Sequence, residues 1–203
     1  HKFPMYSLSN SYSKEEIEQW KTRIQKVLGD QEVTYTCELK YDGASISLTY
    51  ENGALLHGVT RGDGTQGDDV TQNLKTIPTI PLKLLGDYPD FFEIRGEIIL
   101  PLKGFQAINE ERVKAGEDSY MNPRNTASGS LKTQDSALVA KRPLECFLYA
   151  LAGENLKVKS QIEGLKQARL WGFKVPETAI EAKNLNEVFD YLEHWNKKRN
   201  ELP

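Results

Sequence analysis

"CELKYDGASISLTYENG", residues 37 to 53, alternates apolar and polar positions and closes on an Asn-Gly pair. Alternation of this kind marks a strand with one buried face, and Asn-Gly fills a two-residue hairpin turn because both positions tolerate positive φ. Strands are therefore predicted near 34–40, 44–50 and 54–61. Alternation also places Glu38, Lys40 and Asp42 on one face, with Cys37, Leu39 and Tyr41 on the other. Two readings follow for Lys40: a solvated strand face with neighbouring salt bridges, or a nucleophilic amine on the wall of a cleft. An amine attacks only when deprotonated, so the second reading calls for burial or nearby cations. Arg61, Arg95, Arg124, Lys132 and Arg199 lie in later segments that could supply them, and guanidinium groups also grip phosphates in bidentate pairs.

Outward from this stretch, Ser13 and Glu16 form a capping box ahead of Ile17, Trp20, Ile24, Val27 and Leu28, which recur at helical spacing up to Gly29. A helix is predicted at about 14–28. "RGDGTQGDDVTQN", from Arg61, reads as a glycine-rich loop leading into a short helix. It lacks both the G-K-[ST] ending of a phosphate loop and the ligand spacing of a calcium loop, so its glycines shape a turn. "FFEIRGEIIL", from Phe91, is a strand that puts Glu93, Arg95 and Glu97 on one face opposite Ile94. A carboxylate there is either an edge-strand charge or a buried group that could accept ribose hydroxyls or hold a metal ion.

Pro101 suits the first turn of a helix running to about Lys114. The stretch from Gly116 to Ser136 reads as polar loop with a helical turn, in which "NPRNTASGS" is either a helix entry or a set of amides for an anion. "LECFLYALA" returns to strand, with Tyr149 a core residue or, beside a nucleotide, a stacking one. A helix near 160–171, a short strand at Phe173–Val175 and a helix from Asn184, capped with Glu187, complete an α+β pattern of mainly antiparallel sheets.

At 203 residues, with 38% hydrophobic and 27% charged, the chain suits one soluble domain rather than a disordered segment. A net charge of -3 provides no global pull toward nucleic acid or anionic membrane, so a polyanion site must come from local clustering. No apolar run reaches the length of a membrane span and no signal sequence opens the chain, which predicts a cytoplasmic protein. Cys37 and Cys146 read as buried thiols, and His1, His57 and His194 have no metal-ligand spacing.

"CELKYDG", "TRGDG", "EIRGEIIL", "NPRNTASGSLK" and "CFLYAL", in that order, resemble the adenylation domain of bacterial NAD-dependent DNA ligases. The likeness runs from "PMYSL" at 4–8 to "RNELP" at 199–203. K-x-D-G alone is a weak signal, whereas the ordered set is specific. It implies a nucleotidyltransferase fold over 1–203, with a nucleotide cleft between antiparallel sheets flanked by helices. The implied enzyme takes AMP from NAD onto a lysine, then passes it to the 5'-phosphate of nicked double-stranded DNA, sealing phosphodiester bonds in replication and repair. By the same resemblance Lys40 becomes adenylated, held in line with the α-phosphate by a rigid strand, and Asp42 supports it. Glu38 reads the adenine amino group, Leu39, Ser7 and Leu8 line the nucleotide, and Tyr149 stacks on adenine. Arg61 contacts ribose or phosphate, and Glu97 holds the ribose hydroxyls and assists metal-dependent steps. Arg124, Lys132 and Arg199 face phosphates. Magnesium is expected through the phosphates rather than at a metal site of the chain, and the protein is expected to be a monomer.

The family's preceding domain for the nicotinamide mononucleotide half lies outside this sequence. So do the "DG-V-V-I-K" segment, the later lysine motif, and the oligonucleotide-binding barrel, zinc finger and further DNA-binding domains. Lys132 stands where many relatives have arginine, keeping the charge but losing the fork. A chain so bounded is expected to bind adenosine nucleotides, to adenylate itself from NAD poorly or not at all, and not to seal nicks. Competing readings are an ATP-dependent ligase or capping enzyme, and a non-catalytic nucleic-acid-binding module using Arg61, Arg124 and Arg199. "TRGDG" and "NPRN" favour the NAD-dependent group.

Overall fold

A computed structural model describes residues 1–202. In chain order the elements are α1 (Lys14–Leu28), β1 (Tyr35–Cys37), β2 (Ala44–Glu51), β3 (Ala54–Thr60), α2 (Thr71–Leu74), β4 (Phe91–Ile99), α3 (Leu102–Lys114), α4 (Pro123–Leu131), α5 (Ser136–Ala140), β5 (Glu145–Ala152), α6 (Gln161–Leu170), β6 (Ile180–Ala182) and α7 (Leu185–Lys198), followed by a 3-10 turn at Arg199–Glu201. They form two compact units, the larger made of residues 1–5 and 40–177, the smaller of 6–39 and 178–202.

The larger unit is built on a four-stranded antiparallel sheet in the order β3-β2-β4-β5. Asn52 and Gly53, at φ 49° and 75°, make the tight turn between β2 and β3. Register pairs Ser45 with Glu97, Ser47 with Arg95 and Thr49 with Glu93, so these polar side chains share one face. The opposite face carries Ile46, Leu48, Tyr50, Phe92, Ile94, Ile98 and Leu148, none more than 1% exposed. Phe92 packs on Trp171 with centroids 4.8 Å apart, and Tyr50 meets Phe173 edge-on at 5.3 Å. The polar tips of this core are satisfied: Tyr50 donates to the Pro81 carbonyl at 2.5 Å and Trp171 to that of Asp87 at 2.7 Å.

The segment read from sequence as polar loop with a helical turn contains a nine-residue helix, α4, and leads directly into α5. Asn122 caps α4 by accepting from the Asn125 N–H at 2.8 Å, with Pro123 in the first turn, and Asp135 caps α5. The far end of α4 is pinned by Asn73, whose amide donates to the Leu131 and Thr133 carbonyls, both at 2.7 Å. The helix thus lies against β2 and β4. Phe173–Val175 is not a strand. Phe173 and Val175 are buried as packing residues of a connection, with the Phe173 N–H closing the end of α6 on Ala168.

In the smaller unit β1 pairs with β6, a strand that periodicity did not reveal, in a register running from Tyr35–Ala182 to Cys37–Ile180. Tyr35, Cys37, Ala182, Leu185 and Tyr191 form its core, against which Ile17, Leu39, Phe189 and Trp195 pack. Ser13 and Asn184 cap α1 and α7 as their spacing to Glu16 and Glu187 predicts. The predicted strand at 34–40 is therefore corrected to three residues. β6 offers no partner beyond Cys37, and a strand without a ladder partner leaves its backbone groups to other structure. Residues 38–43 are an irregular link, and Lys40 stands on it rather than on a strand.

The loop after β3 is organised by Asp63. One oxygen of its carboxylate accepts the Gln66 N–H, the Thr65 N–H and the Thr65 hydroxyl, each at 2.8 Å, and these bonds hold its pKa down to about 2 from an ordinary 3.8. A folded-state pKa below the unfolded one stabilises above the ordinary value and loses that contribution as pH falls through the lower one. The melting-temperature gap between the native protein and Asp63→Ala should thus hold from pH 7 to about 4 and close by about pH 2. A gap independent of pH would contradict this reading.

Candidate active site

Strand β4 sends two carboxylates with different surroundings to the polar face of the larger sheet. Glu93 is 2% exposed. It accepts the Lys2 N–H at 2.8 Å on one oxygen and the Ser47 hydroxyl at 3.3 Å on the other. Beside it Arg95 donates to the carbonyls of Phe3 at 3.2 Å and Pro4 at 2.8 Å, and the buried Met5 donates to Gly64 at 2.8 Å. Residues 2–5 thus cross the sheet at this end and seal Glu93. Glu97, two positions along the same strand, is only half-buried. Its Oε1 accepts the Gly43 N–H at 3.1 Å and its Oε2 the Ser45 hydroxyl at 2.6 Å.

Gly43 is a glycine for a steric reason. A Cβ there would lie 2.1 Å from the Ile98 carbonyl oxygen, so only a bare backbone passes close enough to β4 to reach Glu97. This anchors the link that carries Lys40 and Asp42, both exposed. Asp42 pairs with Arg124 of α4 at 2.9 Å, and Lys132, just past the same helix, pairs with Asp68 of the glycine-rich loop at 2.8 Å. Both pairs are well exposed, so each adds little stability and leaves its cation able to exchange a carboxylate for a phosphate.

Tyr149 arrives from β5 through a bulge: Arg95 pairs with Ala150 and Gly96 with Leu148, which leaves Tyr149 as the extra residue. Gly96 permits it, since a Cβ would sit 2.9 Å from Cys146 Sγ, Leu148 Cδ1 and the Phe147 carbonyl. The Tyr149 hydroxyl lies 3.4 Å from Ser45 Oγ, and Gln161 of α6 donates to its carbonyl. Burial pushes its phenol pKa up. Glu97 raises it further, and Arg95 and Arg61 lower it by their charge, so these three groups act at this face. Arg61 is exposed at the end of β3, with its N–H bonded to the Ser45 carbonyl at 3.0 Å.

The larger unit therefore holds seven of the residues singled out from sequence: Lys40, Asp42, Arg61, Glu97, Arg124, Lys132 and Tyr149. The structure ties Glu97 to the base of the Lys40 link, Tyr149 to Ser45 beside Glu97, and Asp42 to Arg124. Ser7, Leu8, Glu38, Leu39 and Arg199 belong to the smaller unit. There Ser7 is exposed, Leu8 is 77% exposed, Leu39 packs on the small core and Arg199 is exposed in the 3-10 turn. Sequence reasoning missed Gly43 and Ser45 as the groups that hold Glu97. Their signal was present in the alternation, which puts Ser45 on the face opposite Ile46 and therefore toward β4's carboxylates.

The profile of the NAD-dependent DNA ligase adenylation domain matches residues 1–203. The chain belongs to that family. It is 63% identical over 203 residues to the DNA ligase of Flavobacterium psychrophilum and 62% to that of Flavobacterium johnsoniae. It is 49% identical over 204 residues to the DNA ligase of Cytophaga hutchinsonii. In each case the match covers the whole chain and 30% of the relative, so this adenylation domain spans under a third of the length of those ligases. Family membership favours the NAD-dependent group over the ATP-dependent nucleotidyltransferases.

Proposed function

We propose that this adenylation domain transfers AMP from NAD to Nζ of Lys40 and then to the 5'-phosphate of nicked double-stranded DNA, within a ligase acting in replication and repair in the cytoplasm. The observation that carries the reading is the coincidence of a family match over the whole chain with the Gly43–Glu97 bond, which roots the lysine-bearing link on the strand of a half-buried carboxylate. In the first step the Lys40 amine attacks the α-phosphorus of NAD. A P–N bond forms, the P–O bond to the nicotinamide mononucleotide breaks, and the amine's proton is released. In the second step an oxygen of the DNA phosphate takes the adenylyl group and the lysine is restored. The irregular link replaces the expected strand as the element that holds the amine, so its orientation depends on the Gly43 anchor rather than on a ladder.

Glu97 is the acceptor for ribose hydroxyls, Tyr149 the adenine-stacking ring, and Arg61, Arg124 and Lys132 the phosphate cations. Asp42 supports the lysine by holding Arg124 beside the link. Ser7, Leu8, Glu38, Leu39 and Arg199 take the nucleotide-facing roles that the resemblance implies. Among the described residues no three His, Cys, Asp or Glu side chains gather for a metal. Glu97, with one donor on each oxygen, keeps lone pairs for a magnesium ion held mainly by substrate phosphates, which is how that ion is commonly bound. The ion would neutralise charge developing on the transferring phosphate. No helix among the described residues is long and apolar enough to cross a membrane.

The reading is tested in a chimera in which this chain replaces the matching 203 residues of the Flavobacterium psychrophilum ligase. Gly43→Ala should slow adenylation from NAD there by about 100-fold, the effect of misplacing a reacting group by roughly 1 Å. A rate within twofold of the unsubstituted chimera would sink the anchoring role.

A further inference from the structure

We infer that Ser45 is a positioning and specificity-determining residue, which sets discrimination for the ribose hydroxyls by fixing Glu97. This rests on the proposed adenylate site. A serine hydroxyl has one proton and two acceptor lone pairs. At 2.6 Å from Glu97 Oε2, its proton goes to the ionised carboxylate, a distance in the range of charge-assisted O–H···O⁻ bonds. Its oxygen is then left to accept, and the Tyr149 hydroxyl stands at 3.4 Å. Polarity therefore runs from Tyr149 to Ser45 to Glu97, across β5, β2 and β4. One side chain joins the proposed stacking ring to the proposed ribose acceptor.

Position on the sheet separates Ser45 from its neighbours. Ser47 and Thr49 project from the same face, but Ser47 serves the sealed Glu93 and Thr49 lies 3.1 Å from His57 Nε2. Of the two β4 carboxylates, Glu93 is buried and only Glu97, the partner of Ser45, is half-exposed. With the Gly43 N–H on Oε1, the Ser45 bond makes a two-point hold that fixes the carboxylate plane, and with it the direction of the lone pairs left for a vicinal diol. Removing it frees the carboxylate to rotate about one remaining donor. The loss should appear for a ligand that has ribose hydroxyls and not for one that lacks them.

The test is calorimetric titration of this chain with AMP and with 2',3'-dideoxy-AMP, in the native protein, Ser45→Ala, Ser45→Thr, Glu97→Ala and the Ser45→Ala/Glu97→Ala pair. Ser45→Ala should weaken AMP by about tenfold, as for one hydrogen bond to a charged group, and leave the dideoxy nucleotide within about twofold. Ser45→Thr, which restores a hydroxyl, should recover most of the AMP affinity. In the Glu97→Ala background the serine substitution should add nothing. Equal losses for both nucleotides, or an undiminished effect without Glu97, would show a merely structural serine and overturn the inference. If native binding depends on Glu97 while Ser45→Ala matches the native protein, this inference alone falls. If the native chain binds neither nucleotide, the adenylate site falls and takes it along.

Discussion

Glu97→Ala should weaken AMP binding to this chain by about 10- to 100-fold. Of the two carboxylates that β4 sends to the polar face, this is the one that is both held in place and accessible, and a hydrogen bond from a ribose hydroxyl to a charged group is worth roughly 1.5–3 kcal/mol, with about 1.4 kcal/mol per factor of ten. Truncation also strips the acceptor from the Gly43 N–H and the Ser45 hydroxyl, so the link that carries Lys40 loses its anchor. Glu97→Gln should cost less. Its amide oxygen can accept the Gly43 N–H while its NH2 donates to the Ser45 oxygen, so both neighbours keep a partner though the charge is lost. Titration calorimetry on the three proteins reads this order directly, and an alanine variant that binds AMP like the native chain would place the ribose elsewhere.

Lys40→Arg should abolish adenylation of the chimera while leaving AMP affinity of the isolated chain within about threefold, because the charge at that position is kept. Arginine keeps the positive charge beside the phosphates, so electrostatic attraction persists. Its guanidinium stays protonated at any physiological pH, so it offers no lone pair to phosphorus. The division of binding from transfer is the signature of a nucleophile, in contrast to Glu97, whose loss reduces both. Intact-mass measurement after incubation with NAD and magnesium separates the cases. Residual adenylation of the arginine variant would move the nucleophile to another residue.

The elements legible in the sequence were those whose signal is local. Caps at Ser13 and Asn184, the Asn52-Gly53 turn and the alternation of β2 and β4 each follow from backbone rules acting over a few residues. β6 is a three-residue strand between a loop and a helix cap, and only its pairing with β1, some 140 residues away in sequence, makes it a strand. The same pairing stops at Cys37, which is why Lys40 stands on a link although the alternation continues through it. At the site, residue types and their order pointed to Lys40, Asp42, Glu97 and Tyr149. What alternation could not give was which of two carboxylates on one strand stays open. That depends on residues 2–5 crossing the sheet to cover Glu93, a contact about 90 positions distant in sequence. Nor could it give the Tyr149 bulge, which needs the close approach that Gly96 allows.

The most direct test of the account is to locate the adenylyl group. After the chimera reacts with NAD and magnesium, tandem mass spectrometry of its peptides should find one AMP on Nζ of Lys40, and addition of nicked double-stranded DNA should discharge it. An adduct on any other residue, or no adduct from a chimera that still binds AMP, would contradict the assignment of Lys40 as the nucleophile.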